Sequence, residues 1–401
     1  LGSWIESFLE FTQILPTTDR FRIWAAIGTI AAALERKVYT VSADKALYPN
    51  LYTILVGPPG TGKTIAIEEG RTLLHQLDKV HLAPTVTTKE YLYDLMEKTH
   101  SADVNVDTGV ILEQSALSAF ADEFAVFLKR GDVDFMVALS KLYDCPPLFD
   151  KGTRHHGVND IIRPWLNIMG GATPFWLKET FTDDAFETGF PARVILVYDE
   201  TPFRLDLWNP VPARKEKAVE LLRDLRQINL MKGEYLWSRA AMKFLQEWIN
   251  DGMGPKIADR KFVHYNRRRP IQILKLSMIM AASRTSELVV EEIDVQNAKV
   301  ILLDAESSLG KVAKAMGSNP YKSQMDTIYA YISRTMENGF ASGVPEYRVR
   351  QHISREMPLN FIGPTLENMI DMKMIEVVDG DPPSRMLATG KLTFEEDYDA
   401  E

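Results

Sequence analysis

From Trp4 to about Leu34, apolar residues recur at helical spacing, with Thr18 and Asp19 standing as caps before Arg20-Phe21-Arg22-Ile23-Trp24. From Val38 to about Tyr198 the pattern changes. Short apolar runs alternate with helical stretches, which predicts a parallel sheet with crossover helices. The strands expected are Leu51 to Val56, Val80 to Val86, Ala116 to Ala121, Pro164 to Met169 and Arg193 to Tyr198; helices are expected over Thr64 to Leu77 and from the Thr88 cap through Lys98. From about Pro212 to Met316 the pattern reads as helical throughout: Lys215 to Gln227, Ser238 to Asn250, Arg268 to Arg284 and Ile293 to Ala315. Gly317-Ser318-Asn319-Pro320 is a natural linker. Beyond it come helices at Gln324 to Met336, Glu346 to Glu356 and Pro364 to Met374, then Ile375 to Val378 and a turn at Asp379 to Pro383, the order of a winged helix. The divisions are an N-terminal helical segment (1–37), an α/β core (38–211), a helical block (212–316), a winged-helix-like region (320–393) and an acidic tail (394–401).

At 401 residues, 45% hydrophobic and 25% charged, the chain has the make-up of an ordinary globular protein with two or three cores. Its formal net charge of −9 argues against a protein that simply coats duplex DNA, so any nucleic-acid contact must come from local basic patches. The longest apolar run, near Trp24 to Leu34, is too short to cross a bilayer and is flanked by Arg22 and Arg36; no membrane partner is expected, and the cytoplasm is the expected setting. A lone cysteine, Cys145, leaves no internal disulfide and suits a reducing compartment. The chain opens on Leu1-Gly2-Ser3, open to reading as a cloning scar with a further domain upstream.

Between the first core strand and its helix lies Gly57-Pro58-Pro59-Gly60-Thr61-Gly62-Lys63-Thr64, the complete Walker A pattern. Glycines let backbone N–H groups turn inward around phosphates, and the following helix N-terminus adds partial positive charge there. This predicts ATP with Mg²⁺ as ligand: Lys63 bridges the β- and γ-phosphates, and Thr64 ligates the metal. Asp122-Glu123, closing an apolar run, matches the Walker B pair, with Asp122 near Mg²⁺ and Glu123 as general base; Glu113, after Val110-Ile111-Leu112, is the competing carboxylate.

With both motifs placed, the segment from about Arg20 to Leu309 resembles AAA+ ATPases of the phage and plasmid replication type, and more distantly the minichromosome-maintenance helicases. The resemblance is carried by Tyr48-Pro49-Asn50, Asp122-Glu123-Phe124, Gly170 to Pro174, Gly189 to Val197 and Lys275-Leu276-Ser277. It implies an AAA+ parallel sheet with flanking helices, a helical lid at 212–316, and a homo-oligomeric ring, expected to be a hexamer, driving DNA replication as a helicase or translocase on single-stranded DNA. A helicase loader or initiator, or a remodeller of proteins, would use the same ATP switch. Thr173 falls where such ATPases place sensor 1, although relatives often have Asn there, and Asn167 is the fallback. Arg193 falls at the arginine-finger position, completing a neighbour's site. Arg268 falls at sensor 2, with Arg267 and Arg269 as rivals; the run Arg267 to Arg269 reads as opening a helix, where cations oppose the dipole and hint at an anionic partner.

Leu148 to Arg163 reads as a hairpin around Gly157, and in the helicases resembled a hairpin at this point touches single-stranded DNA. Lys151, Arg154, His155 and His156 would supply its positive charge; the paired histidines have no third metal ligand at useful spacing. In the C-terminal region Arg348, Arg350 and Arg355 lie on or beside the second helix, while the third carries Glu367 and Asp371 with only Lys373. That pattern suits docking of replication proteins at least as well as reading of DNA.

Overall fold

A computed structural model describes residues 3–104, 109, 111–153, 157–201, 214–257, 260–310, 312, 322–340, 342–354, 359–378 and 385–388. The chain divides into two compact units, Leu1–Met316 and Gly317–Glu401.

The first unit is mixed α/β. It opens with α1 (Trp4–Thr12), capped by Ser3 and Glu6 in a capping box, and α2 (Asp19–Leu34), whose cap Thr18 accepts from Phe21 N–H. Five strands form the central sheet: β1 (Tyr52–Val56), β2 (His100–Val104), β3 (Ile111–Ala121), β4 (Pro164–Ala172) and β5 (Val194–Tyr198). Their order is β2-β3-β4-β1-β5, with β3, β4, β1 and β5 parallel and β2 antiparallel at one edge. The helices that follow β1 are α3 (Lys63–Leu74) and α4 (Lys89–Lys98); those after β3 are α5 (Phe124–Phe127) and α6 (Val133–Tyr143); α7 (Pro174–Thr180) and α8 (Asp183–Glu187) precede β5.

Alternate residues of each strand enter different cores, as the period of two requires. Tyr52, Ile54 and Val56 join Leu166, Ile168 and the side chains of α4 and α6. Leu55, Phe120, Met169 and Ile195 join α1, α2, α3 and the helices after β5. Those are α9 (Arg214–Leu230), α10 (Arg239–Asn250), α11 (Val263–Arg284) and α12 (Glu292–Ser307). α2 lies within this second core and is buried on nearly every side, which explains its run of Ala, Ile, Trp and Leu without a polar face.

Four expectations need correction. Val80 to Val86 contributes only an isolated bridge, Leu82 to Ser118; Pro84 has no N–H to carry a ladder onward, and β2 supplies the edge strand in its place. The segment from 212 to 316 is not helical throughout, since Gly233–Glu234 pairs parallel with Val38–Ser42 and Leu236–Trp237 with Val289–Val290. α11 begins at Val263, so Arg267 to Arg269 sit in its second turn and do not confront the helix N-terminus. In the second unit Pro364 lies inside the helix Leu359–Asp371 rather than at its start.

That second unit holds the helices Lys322–Glu337, Glu346–Ile353 and Leu359–Asp371. Its sheet has three strands, not a hairpin alone: Val344–Pro345 pairs with Arg385–Ala388, which pairs with Ile375–Val378. Met325, Ile332, Val349, Leu366 and Met386 form its own core.

Candidate functional site

The loop Gly57 to Gly62 leaves the C-terminal end of β1 and enters α3. A side chain at Gly57 would collide with the carbonyl oxygen of Asp199 and stand 2.9 Å from Thr61 Oγ1. Gly62 takes φ +78°, and a Cβ there would strike Pro16 O and come within 2.7 Å of Thr17 Cα. As N-cap of α3, Gly62 offers no side chain to the helix's first N–H groups, which leaves that terminus able to receive an anion. Lys63 folds back over the loop, its Nζ donating to Gly57 O and Pro58 O (2.8 Å each) and to Thr61 Oγ1 (3.2 Å). Burial pulls the Lys63 pKa below the usual lysine value. Thr64 is exposed at the head of the helix.

Two neighbouring strand ends approach this loop. Gly57 N–H donates to Ala172 O at 3.2 Å, tying the loop to the end of β4. A Cβ on Gly171 would lie 2.6 Å from Asp122 O and 3.5 Å from Lys63 Cβ, so the glycine lets the end of β3 pack against the start of α3. Asp122 therefore sits beside the loop. Its Oδ1 is buried with no hydrogen-bond partner, and burial together with the adjacent Glu68 carboxyl raises its pKa. A buried carboxylate oxygen without a partner, crowded by a second carboxyl, is an environment that a divalent cation would relieve. Thr64 and Asp122 thus fit the donors a magnesium ion takes.

Glu123 is exposed and occupies the N-cap of α5. Glu113 lies on the other half of β3, near Arg163 (3.6 Å), so of the two competing carboxylate positions only Asp122-Glu123 stands at the loop's edge of the sheet. Thr173 follows β4 at the same edge, and its Oγ1 caps α7 by accepting from Trp176 N–H at 3.2 Å. Asn167 is fully buried instead, accepting from Leu51 N–H and donating to Gly28 O; it ties β4 to β1 and α2.

Arg193 and Arg268, separate in sequence, meet. Arg193 donates to Asp144 Oδ2 (2.5 Å) and Gly189 O (2.9 Å), and Arg268 reaches Asp144 Oδ1 at 3.5 Å. Both stand at the N-terminal edge of the sheet, because Tyr52 pairs with Val194 and Val56 with Tyr198. Five residues of strand, about 16 Å, separate that edge from the loop. Neither guanidinium spans the distance to its own chain's loop, so the approach of Arg268 to that loop implied by the resemblance is not the geometry of this chain. Arg269 is buried against Glu306 (2.6 Å) as the tie between α11 and α12, and Arg267 is exposed.

A cavity of about 540 Å³ opens beside the loop, lined in part by Arg20, Ile23, Tyr198, Asp199 and Asp304. Arg20 clamps it, holding Asp304 through two bonds (2.8 and 2.9 Å) and Tyr198 O at 3.0 Å. Sequence reading took Arg20 only as part of a helix start and gave Asp199, Asp304 and Glu68 no role. Glu68 did carry a signal, four residues after Thr64 and hence on the same face of α3.

Leu148–Thr153 and Gly157–Ile162 form the hairpin expected, with Lys151 opposite Asn159. Arg154, His155 and His156 lie outside the described residues, as does the Lys151 side chain. Among the described residues no helix is long and apolar enough to cross a membrane. No protein-family model matches the chain, and no curated protein matches it.

Proposed function

We propose that this chain is an AAA+ ATPase, binding ATP with magnesium at Gly57 to Thr64 and working as a homo-oligomeric ring, a hexamer, in DNA replication. One observation carries the reading: an uncapped helix N-terminus and Lys63 face a loop closed by Gly57 and Gly62, directly beside Asp122 with its unpartnered oxygen. In this assignment Lys63 swings from its carbonyl partners to the β- and γ-phosphates, with Thr64 and Asp122 as metal ligands. Bound magnesium would neutralise charge on the phosphate oxygens. Glu123, exposed at the end of the same strand, accepts the proton of the attacking water, and Thr173 orients that water or the γ-phosphate. The neighbouring cavity takes the nucleoside end, bounded by Asp199 and the Arg20–Asp304 clamp.

A further cation at the transferred phosphate, beyond Lys63 and the metal, comes from another copy. Arg193, with Arg268 beside it, lies a strand's length from its own loop and is presented at the opposite edge. A ring therefore completes each site across an interface. The hairpin of Leu148–Thr153 and Gly157–Ile162 serves as the contact for single-stranded DNA, for which the sequence supplies Lys151, Arg154, His155 and His156, and the second unit, whose helix and strand order is that of a winged helix, docks replication proteins.

The test is ATP turnover with and without single-stranded DNA, for wild type mixed with Arg193→Ala in varying ratios. Stimulation by DNA and a fall in rate steeper than the mutant fraction are expected. A strictly linear fall would remove the role in trans, and indifference to DNA would turn the reading toward a protein remodeller.

A further inference from the structure

A second cavity, of about 650 Å³, lies at the N-terminal edge of the sheet, wholly within the first unit. Its wall carries five cationic side chains (Arg36, Lys45, Arg163, Arg268 and Lys275) against a single carboxylate, Asp144. In a chain of net charge −9 such a concentration runs against the overall balance. Asp144 is already engaged by Arg193 and Arg268, and Arg163 has Glu113.

The state of the two buried cations is more telling. Among the described residues of the first unit, the other buried cations each have a carboxylate within ion-pair distance: Arg22 has Asp19, Lys37 has Glu35, Arg193 has Asp144 and Arg269 has Glu306. Arg36 and Lys275 do not. Arg36 is 8% exposed and donates to Cys145 O (3.1 Å) and Pro164 O (2.7 Å), with its guanidinium 4.2 Å above the Tyr48 ring. Lys275 is 2% exposed; its Nζ donates to Asn50 O (3.1 Å) and Asn50 Oδ1 (2.6 Å) and lies 3.9 Å from the centre of the Tyr143 ring. Carbonyls and ring faces orient these cations; Asp144, already shared by Arg193 and Arg268, acts on Lys275 only through space, and a buried charge without a carboxylate in contact is costly. Both line the same cavity, and they are linked through Cys145, whose carbonyl accepts from Arg36 and whose Sγ donates to the Asn50 Oδ1 that also accepts from Lys275.

We infer that this cavity is a binding site for a phosphoryl oxyanion, with Arg36 and Lys275 as its buried floor and Lys45 at its exposed rim. The site stands apart from the nucleotide loop, at the other edge of the sheet, and does not depend on the ATPase reading. The oxyanion is either free phosphate or pyrophosphate, or the phosphate end of a nucleotide.

Calorimetric titration of the full chain with inorganic pyrophosphate, after saturation with ADP, tests it. One equivalent is expected to bind, and Lys275→Met and Lys45→Ala are each expected to weaken it about tenfold or more. Because Lys45 is exposed, its variant keeps the test decisive if the loss of Lys275 unfolds the chain. Competition between pyrophosphate and excess ATP would identify the phosphate end of a nucleotide as the ligand, and no competition would identify the free anion. Absence of pyrophosphate binding, or binding unchanged by both substitutions, would overturn the inference.

Discussion

The two edges of the central sheet present different kinds of donor to negative charge. At the C-terminal edge the donors are backbone: the open N-terminus of α3 and a loop shaped by Gly57 and Gly62, with Lys63 folded over it onto the Gly57 and Pro58 carbonyls. At the N-terminal edge they are side chains, with Arg36 and Lys275 fixed by burial and Arg193 and Arg268 gathered on Asp144. A backbone cradle needs contiguous residues, because only neighbouring peptide groups converge so closely. A side-chain cluster can be assembled from anywhere in the chain.

The largest effect expected bears on the C-terminal edge. On the proposed reading, Glu123→Gln keeps the shape of the side chain and removes the carboxylate assigned as base, so ATP turnover should fall by ~10²–10⁴-fold while nucleotide binding persists. Phosphate release and ADP calorimetry on the same preparation measure the two. If Glu113→Gln produced that loss instead, the carboxylate at this edge would have been misassigned.

The next effect belongs to the N-terminal edge and depends on pH. Burial lowers the Lys275 pKa from 10.5 to about 8. Between those values the unfolded chain holds more protons than the native one, so native stability rises as pH climbs from 8 toward 10.5. At about 1.4 kcal/mol per pKa unit the gain is at most about 3 kcal/mol. Buried Cys145, whose thiol is held above its ordinary value of 9.0, acts in the opposite sense from about that pH, and Tyr143, held above 10.0, does so higher still, so the rise is steepest between about pH 8 and 9. Urea melts at pH 7, 8, 9 and 10 should show the slope in wild type and lose it in Lys275→Met. Pyrophosphate should flatten it by holding the lysine charged.

The smallest effect separates structure from chemistry at Thr173. Thr173→Val removes the cap on α7 and should cost about 1 kcal/mol in a urea melt. A tenfold or greater loss of ATP turnover in a variant that remains folded would assign the hydroxyl to the reaction as well.

The contrast between the edges also explains what could be read in advance. The loop Gly57 to Thr64 is eight consecutive residues, and the strands around it carry apolar runs, so that part of the core was legible. Arg36, Cys145 and Lys275 are scattered over 240 positions, and no local pattern announces that they share a cavity. The Val80 to Val86 strand failed because hydrophobicity alone ignored the missing N–H of Pro84, while His100–Val104, with His, Ser and Asp among its five residues, carried too weak an apolar signal to be noticed. Arg267 to Arg269 were misplaced relative to the helix start because Val263 to Asn266 has no capping side chain to mark a beginning.

β5 has one further consequence. Arg193 stands at its head and Asp199 at its foot, and all five residues between them are buried and bonded to β1. Such a segment behaves as a push-rod: it has no slack in which a shift of its head could dissipate. In the proposed ring, a tug on Arg193 by an adjoining copy would be delivered at Asp199, against the carbonyl that Gly57 was left bare to accommodate.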